Sequence, residues 1–215
     1  MDLYLAPLAC SMASRIALYA AGGRARFVQV DTRAKRVLED GSDFLALNPL
    51  GQVPVLRTDE GLLLTENSAI LQHIAGRHPA AALMPPEGFA RDEMRQWLSF
   101  VGTELHKAVF TPLLDPAAPE AARAYAREKA GPRLDLLEAH LEGRDWLLQG
   151  FGIADAFSVD TPDGYREVAR RVNARRGVAY ARVLIDPTEP PRTMPSRDGA
   201  NTKNVFRASL GLTGF

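Results

Sequence analysis

Residues 48–56, Asn-Pro-Leu-Gly-Gln-Val-Pro-Val-Leu, place a proline at the start of an apolar, β-branched run. Residues 53–57 and 62–65 flank an Asp-Glu-Gly turn, and this pattern predicts a β-hairpin. Because proline cannot donate to a ladder, Pro54 suits the first position of the strand. The Val53–Pro54 bond is either cis, with the Val53 backbone groups turned toward a ligand, or an ordinary trans bond on an edge strand.

The residues before this stretch alternate strands with a helix. Residues 3–6 and 27–30 are predicted to be strands. The segment 11–21 between them repeats apolar side chains at helical spacing and ends at two glycines. A strand, a crossover helix and a second strand predict a βαβ unit with parallel strands.

The pattern after the hairpin changes from mixed to helical. A short helix near 42–47 precedes the hairpin and a longer one, over 67–76, follows it. Beyond the Pro- and Ala-rich residues 79–87, apolar side chains recur at the helical period from 94 to 105 and again after Pro119. We therefore expect two domains and a tail, with these bounds: an α/β domain at 1–78, a linker at 79–87, an all-α domain at 88–185 and a disordered tail at 186–215.

Composition excludes several classes of protein. Of the 215 residues, 46% are hydrophobic and 24% charged, as in soluble globular proteins. No apolar run approaches the roughly 18 residues that span a bilayer, so we expect no membrane partner. The single cysteine, Cys10, forbids an internal disulfide, and the first residues predict a strand and not a signal peptide. A cytoplasmic protein is the simplest expectation.

The formal net charge of zero is the sum of two unlike parts. Residues 1–157 carry −4 and residues 158–215 carry +4. A basic run at 170–176 lies in the second part, without interleaved aromatic side chains. Such a run favours a solvated helix face over a nucleic-acid patch, so no nucleic-acid partner is expected.

Cys10 stands where the first predicted strand gives way to the first helix. Unpaired backbone N–H groups and the positive end of the helix dipole favour a thiolate at such a position. The thiol is then a nucleophile, or it holds a second thiol in a mixed disulfide. The alternative is a small apolar residue buried in the core.

Glu66 and Asn67 begin the helix over 67–76. The helix N–H groups can bind a carboxylate, while Glu66 can pair with an ammonium group. An ordinary helix cap is the alternative, and it is compatible with ligand binding.

His106 lies off the apolar stripe of its predicted helix, in line with Ser99, Thr103 and Phe110. This face is expected to meet a partner surface, where a neutral imidazole could tune the proton of a thiol. The alternative is a solvated surface histidine. The four histidines show no zinc-ligand spacing, so no metal is expected.

Taken together, these features resemble the cytosolic glutathione transferases, and most closely the bacterial beta class. The resemblance covers roughly residues 1–157, and its matching segments are 4–18, 48–56, 65–71, 104–107 and 153–157. It implies a thioredoxin-like N-terminal domain that binds glutathione as co-substrate and a helical domain that holds a small hydrophobic electrophile. It also implies a homodimer and detoxification chemistry.

The resemblance also implies site residues. Cys10 is similar to the thiol that contacts or reversibly bonds the glutathione sulfur, with Ser11 beside it. Val53 before a cis Pro54 would pair with the cysteinyl backbone of the tripeptide. The remaining implied contacts are Glu66 and Asn67 at the γ-glutamyl end, and Lys35, Gln52, His106 and Lys107 around the rest of the ligand.

The sequence departs from the family near its end. Gly152 stands where relatives have Ser or Thr, a change that costs only a few tenths of a kcal/mol at a helix cap. About a dozen residues are missing after Phe157, so we expect a shortened core helix. This departure supports an alternative, a glutathione-binding protein with little or no turnover. A thiol-disulfide oxidoreductase is a third interpretation, but the chain lacks a Cys-x-x-Cys pair.

Overall fold

The computed structural model describes residues 1–7 and 9–158 of the chain. The predictions of a shortened helix after Phe157, a basic helix face at 170–176 and a disordered tail at 186–215 lie outside the described residues. The predicted helical domain at 88–185 therefore lies within the described residues only as far as residue 158.

Within the described residues, five strands form one mixed sheet in the order β3-β2-β1-β4-β5. The strands are β1 (Asp2–Leu5), β2 (Arg26–Asp31), β3 (Arg36–Val37), β4 (Val55–Arg57) and β5 (Leu63–Leu64). β1 and β2 run parallel, with Leu3 opposite Phe27, which confirms the βαβ prediction. β4 and β5 are antiparallel, with Leu56 opposite Leu64, which confirms the hairpin.

Two helices complete the N-terminal domain. α1 (Met12–Ala20) links β1 to β2, and α2 (Asn67–Arg77) follows the hairpin. The helix predicted near 42–47 is a single 3-10 turn, Phe44–Ala46, in which the Asp43 side chain accepts the Leu45 N–H at 3.1 Å. Mixed sheet and helices together make a thioredoxin-like domain.

The second domain is helical and begins with one continuous helical stretch. α3 (Phe89–Phe100), a π-helix (Val101–Phe110) and α4 (Thr111–Leu114) follow one another without a break, since the residues at the junctions keep right-handed helical geometry. α5 (Glu120–Leu141) runs through Pro132, and α6 (Ile153–Ser158) lies at the end of the described residues.

The burial of Phe110 corrects its predicted position. A period of ~3.6 residues placed Phe110 on the face of His106. In the structure Phe110 is 3% exposed and packs in the hydrophobic core, whereas His106 lines the cavity. Tertiary packing at the end of the π-helix buries this side chain, and the helical period of the sequence does not show that packing.

α6 packs against both domains. Ile153, Ala154, Asp155, Ala156 and Phe157 are each no more than 5% exposed. The helix contacts α1 and α2 on one side and α3 on the other, so one hydrophobic core cluster extends from the sheet to the second domain.

Buried polar contacts fix the start of α6. The Asp155 carboxylate accepts the N–H groups of Leu147 and Gly152, each at 2.9 Å. The Ile153 N–H donates to the Leu83 carbonyl at 2.9 Å. These bonds satisfy backbone groups that a helix start would otherwise leave unpaired in the core.

Gly152 has a role that helix-cap statistics alone do not show. A Cβ atom at this position would lie 2.8 Å from the Leu83 carbonyl oxygen, which is backbone and cannot rotate away. The glycine therefore permits the close approach of the interdomain segment to α6. This approach gives a physical reason for a glycine at position 152.

We predict that Gly152→Ser destabilises the protein by about 1–3 kcal/mol, because the new side chain forces the backbone at Leu83 to move. Urea unfolding of the full chain measures the change. Gly131→Ser is the matched control: it lies inside α5 with no atom within 4 Å of its Cβ position. Serine there raises stability by about 0.5 kcal/mol through helix propensity. Equal behaviour of the two variants would contradict the close-approach argument.

Candidate functional site

A cavity of about 670 Å³ lies between the sheet end of the N-terminal domain and the π-helix. Its wall contains nine of the ten residues that the sequence singled out: Cys10, Lys35, Gln52, Val53, Pro54, Glu66, Asn67, His106 and Lys107. The cavity thus joins side chains that are up to 97 positions apart in the sequence, from Cys10 to Lys107.

Cys10 lies at the turn from β1 into α1 and is partly exposed. Its thiol donates to the Val53 carbonyl oxygen, with 3.2 Å between Sγ and O. The Val53–Pro54 peptide bond is cis, which decides between the two alternatives left open by the sequence. The thiol and the backbone of Val53 are therefore neighbours on one wall of the cavity.

Asn48 holds the turn that leads to the cis proline. Its Nδ2 donates to the Gln52 carbonyl at 2.8 Å, and its Oδ1 accepts the Leu50 N–H at 3.2 Å. Asn48 is 6% exposed, and the Gly51 N–H donates to its carbonyl oxygen at 2.7 Å. These bonds explain why asparagine begins the segment that orients Val53.

Lys35 crosses the same turn from the opposite side. Its Nζ donates to the Gly51 carbonyl at 3.0 Å. Gly51 has a φ of 60°, and a Cβ there would lie 2.7 Å from Cδ of Lys35. Glycine therefore allows both the turn and the close passage of the lysine, whose ammonium group stays on the cavity wall.

Glu66 and Asn67 form the cavity wall at the start of α2. Glu66 has a φ of 64°, which is unusual for a residue other than glycine, and its side chain is exposed. Asn67 is 6% exposed; its Nδ2 donates to the Cys10 carbonyl at 2.6 Å, and its Oδ1 accepts the Ser14 hydroxyl at 2.9 Å. Because a first-turn N–H has no intrahelical partner, the start of α2 can accept an anion.

Ser11 is the predicted site residue that the structure does not bring into the cavity wall. It is completely buried, its Oγ accepts the Ala6 N–H, and its hydroxyl donates to the Ala6 carbonyl, both at 3.1 Å. The hydroxyl closes the turn after β1, away from the cavity wall where the resemblance placed it.

His106 enters the cavity from the π-helix. Residues four to five positions apart share a face of a π-helix, which has roughly 4.4 residues per turn. Gly102, His106 and Thr111 follow this spacing, and all three line the cavity. In a regular α-helix, Thr111 would lie opposite Gly102. The wide turns of the π-helix therefore bring Gly102 and His106, and Thr111 directly after it, to the same cavity.

The surroundings of His106 favour the neutral imidazole. Burial lowers its pKa below the ordinary 6.5, the Lys107 ammonium lowers it further, and the Glu66 carboxylate partly opposes both. A neutral ring can accept a proton from a nearby thiol. The prediction that His106 faces away from the helical core is met by its place in the cavity wall.

Arg95 is a cavity residue that the sequence analysis missed. Its guanidinium pairs with Asp92 of the same helix at 2.9 Å and with Glu87, which precedes that helix, at 3.5 Å, so both carboxylates share its charge. Phe157 also lines the cavity and was not predicted as a site residue. It is 4% exposed, and its Cε1 would lie 3.6 Å from a Cβ atom at Gly102 of the π-helix. Only the tertiary packing of α6 against the π-helix brings Phe157 to the site.

The described residues contain no group of three or more His, Cys, Asp or Glu side chains arranged to hold a metal ion. In the same part of the chain, no helix has the length and apolar character needed to cross a membrane.

Comparison with known proteins identifies the family. Residues 1–76 match the model of the glutathione S-transferase N-terminal domain. Glutathione S-transferase GstA of Escherichia coli O157:H7 is 42% identical over 159 residues, covering 73% of this chain and 78% of the relative. The chain belongs to the glutathione S-transferases. It is a transferase enzyme, and the family resemblance found in the sequence is confirmed.

Solved structures of glutathione S-transferases support the same fold. A sphingomonad enzyme complexed with glutathione has a TM-score of 0.70 at 35% identity, covering 98% of this chain and 96% of that chain. The bacterial beta-class enzyme of Sphingomonas chungbukensis has a TM-score of 0.70 at 33% identity, with the same two coverages. The beta-class likeness is thereby confirmed at the level of fold.

We predict that His106 titrates below 6.5 in the folded transferase and that Lys107→Gln raises its midpoint, because a like charge is removed. Glu66→Gln lowers the midpoint, because the opposing carboxylate is lost. NMR titration of the imidazole signals measures the shifts, with His106→Gln assigning the resonance. A midpoint at or above 6.5 in the unchanged protein would contradict the burial argument.

The same shift has a consequence for stability. Because the folded state disfavours the imidazolium, the unfolding free energy decreases as the pH falls through 6.5 toward the folded pKa, and His106 leaves it unchanged at higher pH.

Proposed function

We propose that this transferase binds glutathione as co-substrate in the cavity and either conjugates it to small hydrophobic electrophiles or uses it to reduce mixed disulfides. The contact between Cys10 Sγ and the Val53 carbonyl, beside a cis Pro54, carries the proposal. It sets a thiol next to the backbone group that would pair with the cysteinyl unit of the tripeptide. The ligand's sulfur would then come to rest near Sγ.

The charges along the cavity suit both ends of glutathione. The γ-glutamyl carboxylate would lie at the start of α2, where the N–H groups and the helix dipole favour an anion. The Glu66 carboxylate would pair with the γ-glutamyl ammonium group. Lys35 and Gln52, which line the turn before Val53, would hold the rest of the tripeptide.

Asn67 would contact the ligand in two ways. Each polar atom of its side chain makes one hydrogen bond within the protein, and each can make one more. Its backbone N–H at the helix start would supply a further donor to the γ-glutamyl end.

Conjugation would use the glutathione sulfur as nucleophile. The thiol gives its proton to the neutral His106 or to water, and the sulfur then forms a bond to the electrophilic carbon as a leaving group departs with its electron pair. Leu98 and Phe157 supply apolar surface on the opposite wall, where a small electrophile would lie alongside.

Disulfide reduction would use the thiol of Cys10. The Cys10 thiolate attacks the glutathione sulfur of a mixed disulfide and releases the other thiol, which takes up a proton. A second glutathione then attacks the Cys10 adduct and leaves as oxidised glutathione, which restores the thiolate. The sulfur of the released thiol is thus reduced, and the sulfur of the one free glutathione is oxidised as it enters the new disulfide. The proton lost by that glutathione balances the proton that the released thiol takes up.

The family resemblance further implies a cytoplasmic homodimer. Light scattering of the eluting full chain measures the oligomeric state, and a monomer at micromolar concentration would contradict it.

We predict that Cys10→Ala abolishes mixed-disulfide reduction, with a loss of at least about 100-fold, because the nucleophile is gone. Cys10→Ser is the matched control, since a hydroxyl can still donate to the Val53 carbonyl. Reduction that survives in both variants would exclude the covalent route. Mass spectrometry of the unchanged chain after incubation with oxidised glutathione shows one adduct, on Cys10.

Retention on glutathione-agarose and a conjugation assay with 1-chloro-2,4-dinitrobenzene test the rest of the proposal. Retention with conjugation supports the proposed function. Retention without conjugation or reduction supports the alternative, a glutathione-binding protein with little turnover. Failure of both would overturn glutathione as the co-substrate.

A further inference from the structure

We propose that Asn67 is a positioning residue that fixes the reacting turn of Cys10 relative to the glutathione-binding start of α2. This inference rests on the proposed function for its ligand, but its geometry belongs to the protein alone. The amide side chain of Asn67 bridges the starts of two helices, α1 and α2, at the wall of the cavity.

The two arms of the bridge are short hydrogen bonds. Nδ2 donates to the Cys10 carbonyl at 2.6 Å, and Oδ1 accepts the Ser14 hydroxyl at 2.9 Å. Asn67 is 6% exposed and Ser14 is completely buried, so water competes little for either bond. A planar amide carries the required donor and acceptor on one rigid group.

The Cys10 carbonyl accepts its shorter hydrogen bond from the Asn67 amide. Its bond from the Ala13 N–H, at 3.3 Å, is longer than the bond from Asn67, at 2.6 Å. Cys10 is consequently held from two directions: the Val53 carbonyl holds its thiol, and the Asn67 amide holds its backbone. Both restraints come from segments that also line the cavity.

The amide also affects the charge around the sulfur. A carbonyl oxygen carries partial negative charge, and a donated N–H compensates it. Without the Asn67 donor, the Cys10 carbonyl would oppose a negative charge on its own side chain. The bridge therefore supports the thiolate as well as the position of the turn.

One residue thereby sets the spacing between two parts of the ligand site. The backbone of Asn67 belongs to the first turn of α2, where the γ-glutamyl carboxylate would bind, and its side chain is bonded to Cys10. When the γ-glutamyl carboxylate binds at the start of α2, the distance from that point to the Cys10 thiol is already fixed. Such an arrangement lowers the entropy lost in bringing two sulfur atoms together.

Alkylation of Cys10 tests this role without glutathione. Iodoacetamide labels the full chain, and intact mass measures the rate, since the chain has one cysteine. Asn67→Ala is expected to slow labelling at neutral pH about fivefold, the equivalent of one net hydrogen bond. Ser14→Ala breaks only the other arm, so its labelling rate stays within about twofold of the unchanged protein.

The comparison of the two variants separates positioning from structural support. Equal slowing in Asn67→Ala and Ser14→Ala, or no slowing in Asn67→Ala, would overturn the proposal. If Asn67→Ala does not fold, Asn67→Ser takes its place, because a shorter hydroxyl cannot make both bonds at these distances.

Steady-state kinetics of mixed-disulfide reduction provides the second measurement. The proposal requires that Asn67→Ala lower kcat about fivefold while KM for glutathione changes less than twofold, because the backbone anchor at α2 remains. A rise in KM at constant kcat would overturn positioning in favour of simple binding. If the unchanged protein fails to bind glutathione, the proposed function fails, and the alkylation comparison still decides the role of Asn67.

Discussion

Burial of α6 between the two domains is the packing constraint on which the cavity depends. Five of its six residues are almost inaccessible, so the helix has no solvated face over those positions. Each large apolar side chain removed from water contributes roughly 1.5–3 kcal/mol. The Asp155 carboxylate and the Leu83 carbonyl satisfy the backbone at its start. Because α6 is fixed in this way, the N-terminal domain and the π-helix form two walls of the same cavity.

The π-helix then determines what that cavity contains. The π-helix turns through fewer degrees per residue than an α-helix does. A row of its polar side chains lines the cavity, while Val101, Leu105 and Val109 are buried in the core. π-helical turns are often found at functional sites. Here the geometry brings an imidazole with a lowered pKa opposite a thiol, although the two belong to different domains.

Much of the N-terminal domain could be predicted from the sequence, because its signals are local. Alternating strands, a glycine pair after α1 and the Asp-Glu-Gly turn before β5 each act within a few residues. The segment 48–56 left the bond before Pro54 open between cis and trans, and the cis bond implied by the resemblance is the one that the structure shows. The resemblance placed nine residues that the cavity brings together.

Where the sequence predictions differ from the structure, the cause lies in contacts that the local sequence does not show. Ser11 follows Cys10 in the turn, but two hydrogen bonds to the Ala6 backbone keep its hydroxyl away from the cavity. Adjacency in the sequence does not show in which direction a side chain points. Phe110 was misplaced because tertiary packing buries it in the core, which the helical period of the sequence does not show. Gly152 was judged by its cap preference alone, whereas the carbonyl of Leu83, 69 positions earlier, decides it.

The two restraints on Cys10 span long stretches of chain. The thiol contact crosses 43 positions and the carbonyl contact crosses 57. Contacts of such separation form only after a large loop has closed, and they belong to the slower part of folding. During synthesis the thiol therefore emerges long before its surroundings exist. The thiol contact waits for Val53 to be made, and the contact at the Cys10 carbonyl forms only when α2 docks.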